Sequence, residues 1–92
     1  PPPLYDVKTL DTTTLFADQE EIKAFNPHRF EMLHLDGILK LDASQHLIIA
    51  FKRVREDEFW CRGHMPGYPI LPGVIMCEAA AQMTSYYVKK TG

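Results

Sequence analysis

With 92 residues, 46% of them apolar and 24% charged, the chain has the make-up of one small globular domain, which excludes disordered and collagen-like classes. A net charge of −2 argues against a nucleic-acid binder, and no apolar run approaches the roughly 18 residues of a membrane-spanning helix. A core built from so few residues is near the lower limit of self-sufficiency, so a partner surface is expected. The Pro1-Pro2-Pro3 start carries no basic-then-apolar leader, giving the expectation of a soluble, cytoplasmic protein. Cys61 and Cys77 are then reduced packing residues.

Residues 1–14 form a Pro-led, Thr-rich extended lead that wraps the surface or frays. Asp18 before Gln19-Glu20-Glu21-Ile22 supplies an N-cap and first-turn acids, which predicts a short helix over 17–25 ended by Asn26-Pro27. Dense apolar residues from Phe30 to Leu41, around Gly37, predict a buried strand with a bulge or bend. Asp42-Ala43-Ser44-Gln45 reads as a hairpin turn into a second strand, His46–Val54, so that strands occupy much of 30–63. Phe59-Trp60-Cys61 is a short apolar piece leading to a loop over 64–73, where Pro66, Gly67, Pro69, Pro72 and Gly73 forbid a regular element. Residues 74–90 then read as a helix with Lys89-Lys90 in its last turn and Gly92 as a stop. Its first turns are apolar nearly all round, which predicts a helix enclosed by other elements. Two or three upstream strands are too few to enclose it, so the sheet is expected to be completed by further sequence or by another chain.

Chemistry concentrates between His64 and Gln82. Alone, a histidine in a Gly/Pro loop is more often a turn or packing residue than an acid or base. His28, His34 and His46 carry weaker signals: a local cap, a strand position and a turn. Glu78 shares a polar stripe with Gln82, Ser85 and Lys89, which fits a solvent-facing helix side; it also sits among apolar neighbours, where burial would raise a carboxyl pKa. Gly73 at a helix start either turns the chain or presents an unencumbered N–H at the positive end of the helix dipole. Cys61-x-x-His64 has ligand-like spacing but no matching second pair, so no metal is expected. Lys52-Arg53-x-Arg55, with Arg62, forms the local basic cluster, either a solvated face or a docking patch.

The run Glu-Phe-Trp-Cys-Arg-Gly-His-Met-Pro-Gly-Tyr-Pro-Ile-Leu-Pro-Gly-Val-Ile-Met-Cys-Glu-Ala-Ala-Ala-Gln, from Glu58 to Gln82, closely resembles the signature region of the 3-hydroxyacyl-acyl carrier protein dehydratases of the FabZ type. Asn26-Pro27-His28-Arg29-Phe30 and Leu33-x-Leu35-Asp36 resemble the same family's entry to its first strand. The resemblance implies an α+β hot-dog fold, an antiparallel sheet wrapped around a long central helix, here without the downstream strands. It implies His64 and Glu78 as catalytic residues contributed by two subunits of a homodimer, or of a hexamer built as a trimer of dimers, and Gly73 as the amide that holds the thioester carbonyl. Met65, Tyr68, Ile70, Leu71 and Val74 would line the acyl tunnel, and Arg53, Arg55 and Arg62 would dock an acidic acyl carrier protein. The implied reaction is cofactor-free dehydration of a 3-hydroxyacyl thioester in fatty acid biosynthesis. The sister branch that also isomerises carries Asp where this chain has Glu78. The alternatives are a hot-dog thioesterase or enoyl-CoA hydratase, and a non-catalytic acyl-binding or partner subunit. The sequence departs from the family at Met65 for the usual Phe, Glu31 for the usual Pro, and Tyr68 where Arg is common.

Overall fold

A computed structural model of the chain describes residues 5–92, so the start of the expected lead, residues 1–4, lies outside the described residues. Two helices and a two-stranded antiparallel sheet follow one another as α1 (Gln19–Phe25), β1 (Gly37–Asp42), β2 (Leu47–Phe51) and α2 (Gly73–Thr91). Short 3-10 turns stand at Val7–Thr9, Phe30–Met32 and Ala43–Gln45.

Local chemistry accounts for these boundaries. The Asp18 carboxylate accepts the Glu21 N–H at 2.9 Å and so satisfies a donor that the first turn of α1 leaves unpaired. Asp42 does the same at the hairpin, accepting from Ser44 N–H at 3.1 Å, and His46 completes the reversal in the left-handed region at φ 52°. The bulge expected around Gly37 falls at Leu39, where the register slips between Ile38 and Lys40. Gly37 itself is required by crowding: a Cβ there would lie 2.7 Å from the Phe51 ring. On its outer edge β1 is met by Ala17, whose N–H and C=O both bond Ile38, at 3.1 and 2.9 Å.

Two sequence expectations need correction. The strand span of 30–63 contracts to residues 37–51, because Phe30–Met32 winds into a 3-10 turn and 56–63 is a series of turns and bends. Arg29 drives the first change: its guanidinium donates to the carbonyls of Asn26 and His28, both at 2.8 Å, and of Lys23 at 3.0 Å, which folds the chain back on α1. The expected enclosure of α2 is also not met within one chain. A single stripe of the helix is covered, with Ile75, Gln82 and Tyr86 buried, while Val74, Met76, Cys77 and Val88 stand exposed. Two strands are too narrow a sheet to wrap further. Cys77 is therefore not a packing residue here, whereas Cys61 is buried, with its thiol 3.2 Å from the Arg55 carbonyl.

The main core joins Ala17, Ile22, Leu35, Ile38 and Tyr86, with Phe25, Ile48 and Met83 packed around them. Tyr86 ties α1 to α2: its ring meets Phe25 edge-on at 5.5 Å, and its hydroxyl donates to Glu21 at 3.1 Å. Burial and the Glu21 carboxylate push the Tyr86 phenol up to about 12. A second, smaller cluster of Trp60, Cys61 and Ile75, with Leu71 against it, fastens the loop before α2 to that helix's first turns.

Candidate active site

The loop between the clusters is built around His64. Its amide donates to the Trp60 carbonyl at 2.8 Å, which plants the residue on the buried Trp60–Cys61 turn. Beyond it, Met65-Pro66-Gly67-Tyr68 closes as a tight turn, with Tyr68 N–H to Met65 C=O at 2.9 Å and the reverse bond at 3.1 Å. Pro66 supplies the fixed φ of the first corner, and Gly67, at φ 77°, the left-handed second corner of a type II turn. Ile70 then returns to His64: its N–H donates to the His64 carbonyl at 2.7 Å, and its own carbonyl lies 2.8 Å from His64 Nδ1.

That last contact sets the imidazole's chemistry. A carbonyl only accepts, so Nδ1 carries the proton, and in the neutral ring Nε2 is left with a bare lone pair. Among the described residues Nε2 has no hydrogen-bond partner. The ring's tautomer is therefore fixed by its own loop, in the way that a backbone carbonyl fixes that of a ligating or catalytic histidine.

Gly73 is the first residue of α2, and Pro72, at its N-cap, offers no side chain to cap the turn. The Pro72 carbonyl accepts from Ile75 and Met76, at 3.0 and 3.2 Å, while the Gly73 N–H finds no acceptor among the described residues. An unpaired amide at the positive end of a 19-residue helix is available to an anionic oxygen.

Glu78 has company of its own. One carboxylate oxygen, Oε2, accepts the Gln82 side-chain N–H at 2.8 Å and stands 3.6 Å from His28 Nε2. No hydrogen bond or ion pair joins it to His64 among the described residues. Its side chain is 34% exposed, so the burial expected around this carboxyl is not supplied by one chain. The stripe that contains it does not face solvent throughout either: Gln82 is fully buried. The Gln82 amide donates to Met32 C=O at 2.6 Å and accepts His34 N–H at 2.9 Å, while its backbone carbonyl takes a 2.9 Å bond from Asn26 Nδ2. Sequence reading missed this bolt between α2 and the 26–34 segment. A glutamine one turn after the candidate acid was the available signal.

The expected tunnel residues form an open surface in one chain: Met65, Tyr68, Ile70 and Val74 are exposed, and only Leu71 is packed, against Trp60 and Ile75. A hollow of about 350 Å³ lies elsewhere, among Phe30, Leu33, Lys52, Arg55 and Phe59. Of the arginines expected to dock a carrier, Arg55 is paired with Asp36 at 3.0 Å and Arg53 lies 5.3 Å over the Phe51 ring. Arg62 is exposed and unpaired among the described residues. No helix of the described residues is long and apolar enough to cross a membrane.

An imidazole set on a turn, a free helix-start amide and a carboxylate on the same helix thus lie within one segment, residues 64–78. The family model of the FabA-like domain matches residues 26–92, from the His28 segment through α2. The chain belongs to the FabA-like family, whose hot-dog domain accounts for the antiparallel strands laid against one long helix. Among curated relatives, it is 42% identical over 71 residues to the 3-hydroxyacyl-[acyl-carrier-protein] dehydratase FabZ of Petrotoga mobilis (strain DSM 10674 / SJ95), covering 77% of this chain and 50% of that protein. It is 45% identical over 62 residues to FabZ of Xylella fastidiosa (strain M12), covering 67% and 39%. The match to FabZ of Streptococcus pneumoniae (strain CGSP14) is 45% over 65 residues, covering 71% and 45%. The chain thus spans half or less of the length of these relatives.

Proposed function

We propose that this protein dehydrates 3-hydroxyacyl groups carried on acyl carrier protein to trans-2-enoyl groups, in a cytoplasmic, cofactor-free step of fatty acid synthesis. The observation that carries the reading is the His64 ring, held by the Ile70 carbonyl with Nε2 bare. Relatives named as FabZ dehydratases support the substrate class. In the reaction, His64 Nε2 takes the C2 proton as enolate charge grows on the thioester oxygen, which the Gly73 N–H stabilises. The C3–O bond then breaks, and the hydroxyl leaves as water with the carboxyl proton of neutral Glu78; the carboxylate so formed regains a proton by way of solvent as His64 Nε2 gives up the one it took, which restores the site. The products are one enoyl thioester and one water.

His64 and Glu78 are not joined within one chain, so the productive pair forms across a homodimer, either alone or in a trimer of dimers. Met65, Tyr68, Ile70, Leu71 and Val74 line the acyl path of that assembly, and Arg62, with Arg53 and Arg55, meets the acidic carrier. The test is a dehydration assay on 3-hydroxyacyl-carrier substrate with His64→Ala and Glu78→Ala. Each substitution is expected to lower turnover by about 10²–10⁴-fold, corresponding to about 3–5 kcal/mol of barrier. Turnover near wild type in either variant refutes that residue's role, and release of free acid and thiol in place of enoyl product makes the protein a thioesterase.

A further inference from the structure

Glu78 is gripped through one oxygen only. Oε2 receives the Gln82 amide at 2.8 Å and faces His28 Nε2 at 3.6 Å, whereas Oε1 has no hydrogen-bond partner among the described residues. His28 is itself firmly set. Asn26 is tied to α2 through Gln82 O and to α1 through its own N–H, at 2.8 Å to Ile22 O, and the Arg29 guanidinium clamps the His28 carbonyl at 2.8 Å. The His28 Nδ1 atom is buried without a partner, so among the described residues the ring's one polar contact is the Glu78 carboxylate. A carboxylate opposite Nε2 draws the ring proton to that nitrogen.

We propose that His28 is a positioning residue for Glu78. With Gln82 it fixes Oε2 and so turns Oε1 outward as the oxygen that meets the substrate's C3 hydroxyl. Without the imidazole the carboxylate swings about its bond to Gln82. The kinetic consequence rests on the dehydratase reading above, but the grip itself does not.

Two measurements on the full-length protein separate them. The first compares the ¹⁵N resonances of the His28 imidazole in wild type and in Glu78→Ala. Displaced His28 resonances, with those of His46 unmoved, establish the grip; unchanged His28 resonances overturn the proposal, whether or not the protein turns over substrate. The second is steady-state dehydration. His28→Ala is expected to lower kcat by about 10- to 100-fold with KM within about twofold, and His28→Gln, which keeps a donor at the reach of Nε2, to restore most of it. Wild-type kcat in His28→Ala, or His28→Gln as slow as His28→Ala at equal folded content, overturns it. Absence of wild-type turnover defeats the dehydratase reading alone, because the resonances still decide the grip.

Discussion

Replacing Gln82 by Leu tests whether the buried amide is what holds α2 to the 26–34 segment. The substitution preserves bulk in a fully buried position but removes three hydrogen bonds, to Met32 O, His34 N and Glu78 Oε2. They are not of equal weight. The His34 amide belongs to a residue only 1% exposed and is left unpaired away from water, which costs about 1–3 kcal/mol. The Met32 carbonyl is part-buried and contributes about 0.5–1.5 kcal/mol. Glu78 reaches water and loses little. Better burial of the leucine side chain returns about 1 kcal/mol. The net expectation is a loss of about 2 kcal/mol, or roughly 8–16 °C in Tm for a domain of this size. The assay is thermal unfolding at fixed protein concentration, together with amide exchange at His34. Ser85→Ala, on the same stripe but with no side-chain hydrogen bond to lose among the described residues, should stay within about 0.5 kcal/mol of wild type. A Gln82→Leu protein that melts within about 2 °C of wild type, with the His34 amide still protected, refutes the bolt.

Two further outcomes concern His34 and the Met65–Tyr68 turn. Burial, and then the nearby Lys52 charge, hold the His34 imidazole below its ordinary value, while Glu78 and Glu58 pull it the other way. The unfolded chain therefore binds the extra proton first, and stability falls as pH drops below about 6.5, by up to about 1.4 kcal/mol per pH unit until the folded ring also protonates. Urea unfolding from pH 7.5 to 5 measures it, and a His34→Phe variant that keeps the same slope refutes the assignment. Gly67→Ala meets no atom of the described residues within 4 Å, so its cost is the backbone's alone: about 1 kcal/mol for a Cβ at φ 77°. That loss should appear in the urea midpoint, and a Gly67→Ala protein as stable as wild type would show that the Met65–Tyr68 turn tolerates another geometry.

How much of this was legible in the sequence depends on whether the signal is local. The end of α1 could be read because Asn26-Pro27 stops it, whereas its start lies two residues later than the expected 17, after the Asp18 cap, with Ala17 bridged to β1; α2 could be read because Gly73 and Gly92 bracket a run free of proline and glycine. The His64 loop was legible for the same reason, since proline and glycine constrain the backbone that carries them. The tautomer was not, because it depends on the Ile70 carbonyl folding back across six residues. The Phe30–Leu41 apolar run misled because apolar density reports burial rather than conformation, and what bends Phe30–Met32 out of the sheet is a guanidinium reaching back to three carbonyls.

The polar stripe of α2 shows the same limit at the site itself. Periodicity puts Glu78, Gln82, Ser85 and Lys89 on one side of the helix, and a one-helix view gives that side to water. What it meets at Gln82 is not water but the irregular backbone of residues 26–34, whose carbonyl at Met32 and amide at His34 have no strand partner among the described residues. Irregular backbone that is covered must be satisfied by side chains, so a buried glutamine follows from the loss of the strand. Holding that loop in place also brings His28 up to Glu78. The segment that fails to become a strand is thus continuous with the one that carries His28 to within 3.6 Å of the candidate acid, and straightening Phe30–Met32 into β structure would remove that approach before it cost the fold its core.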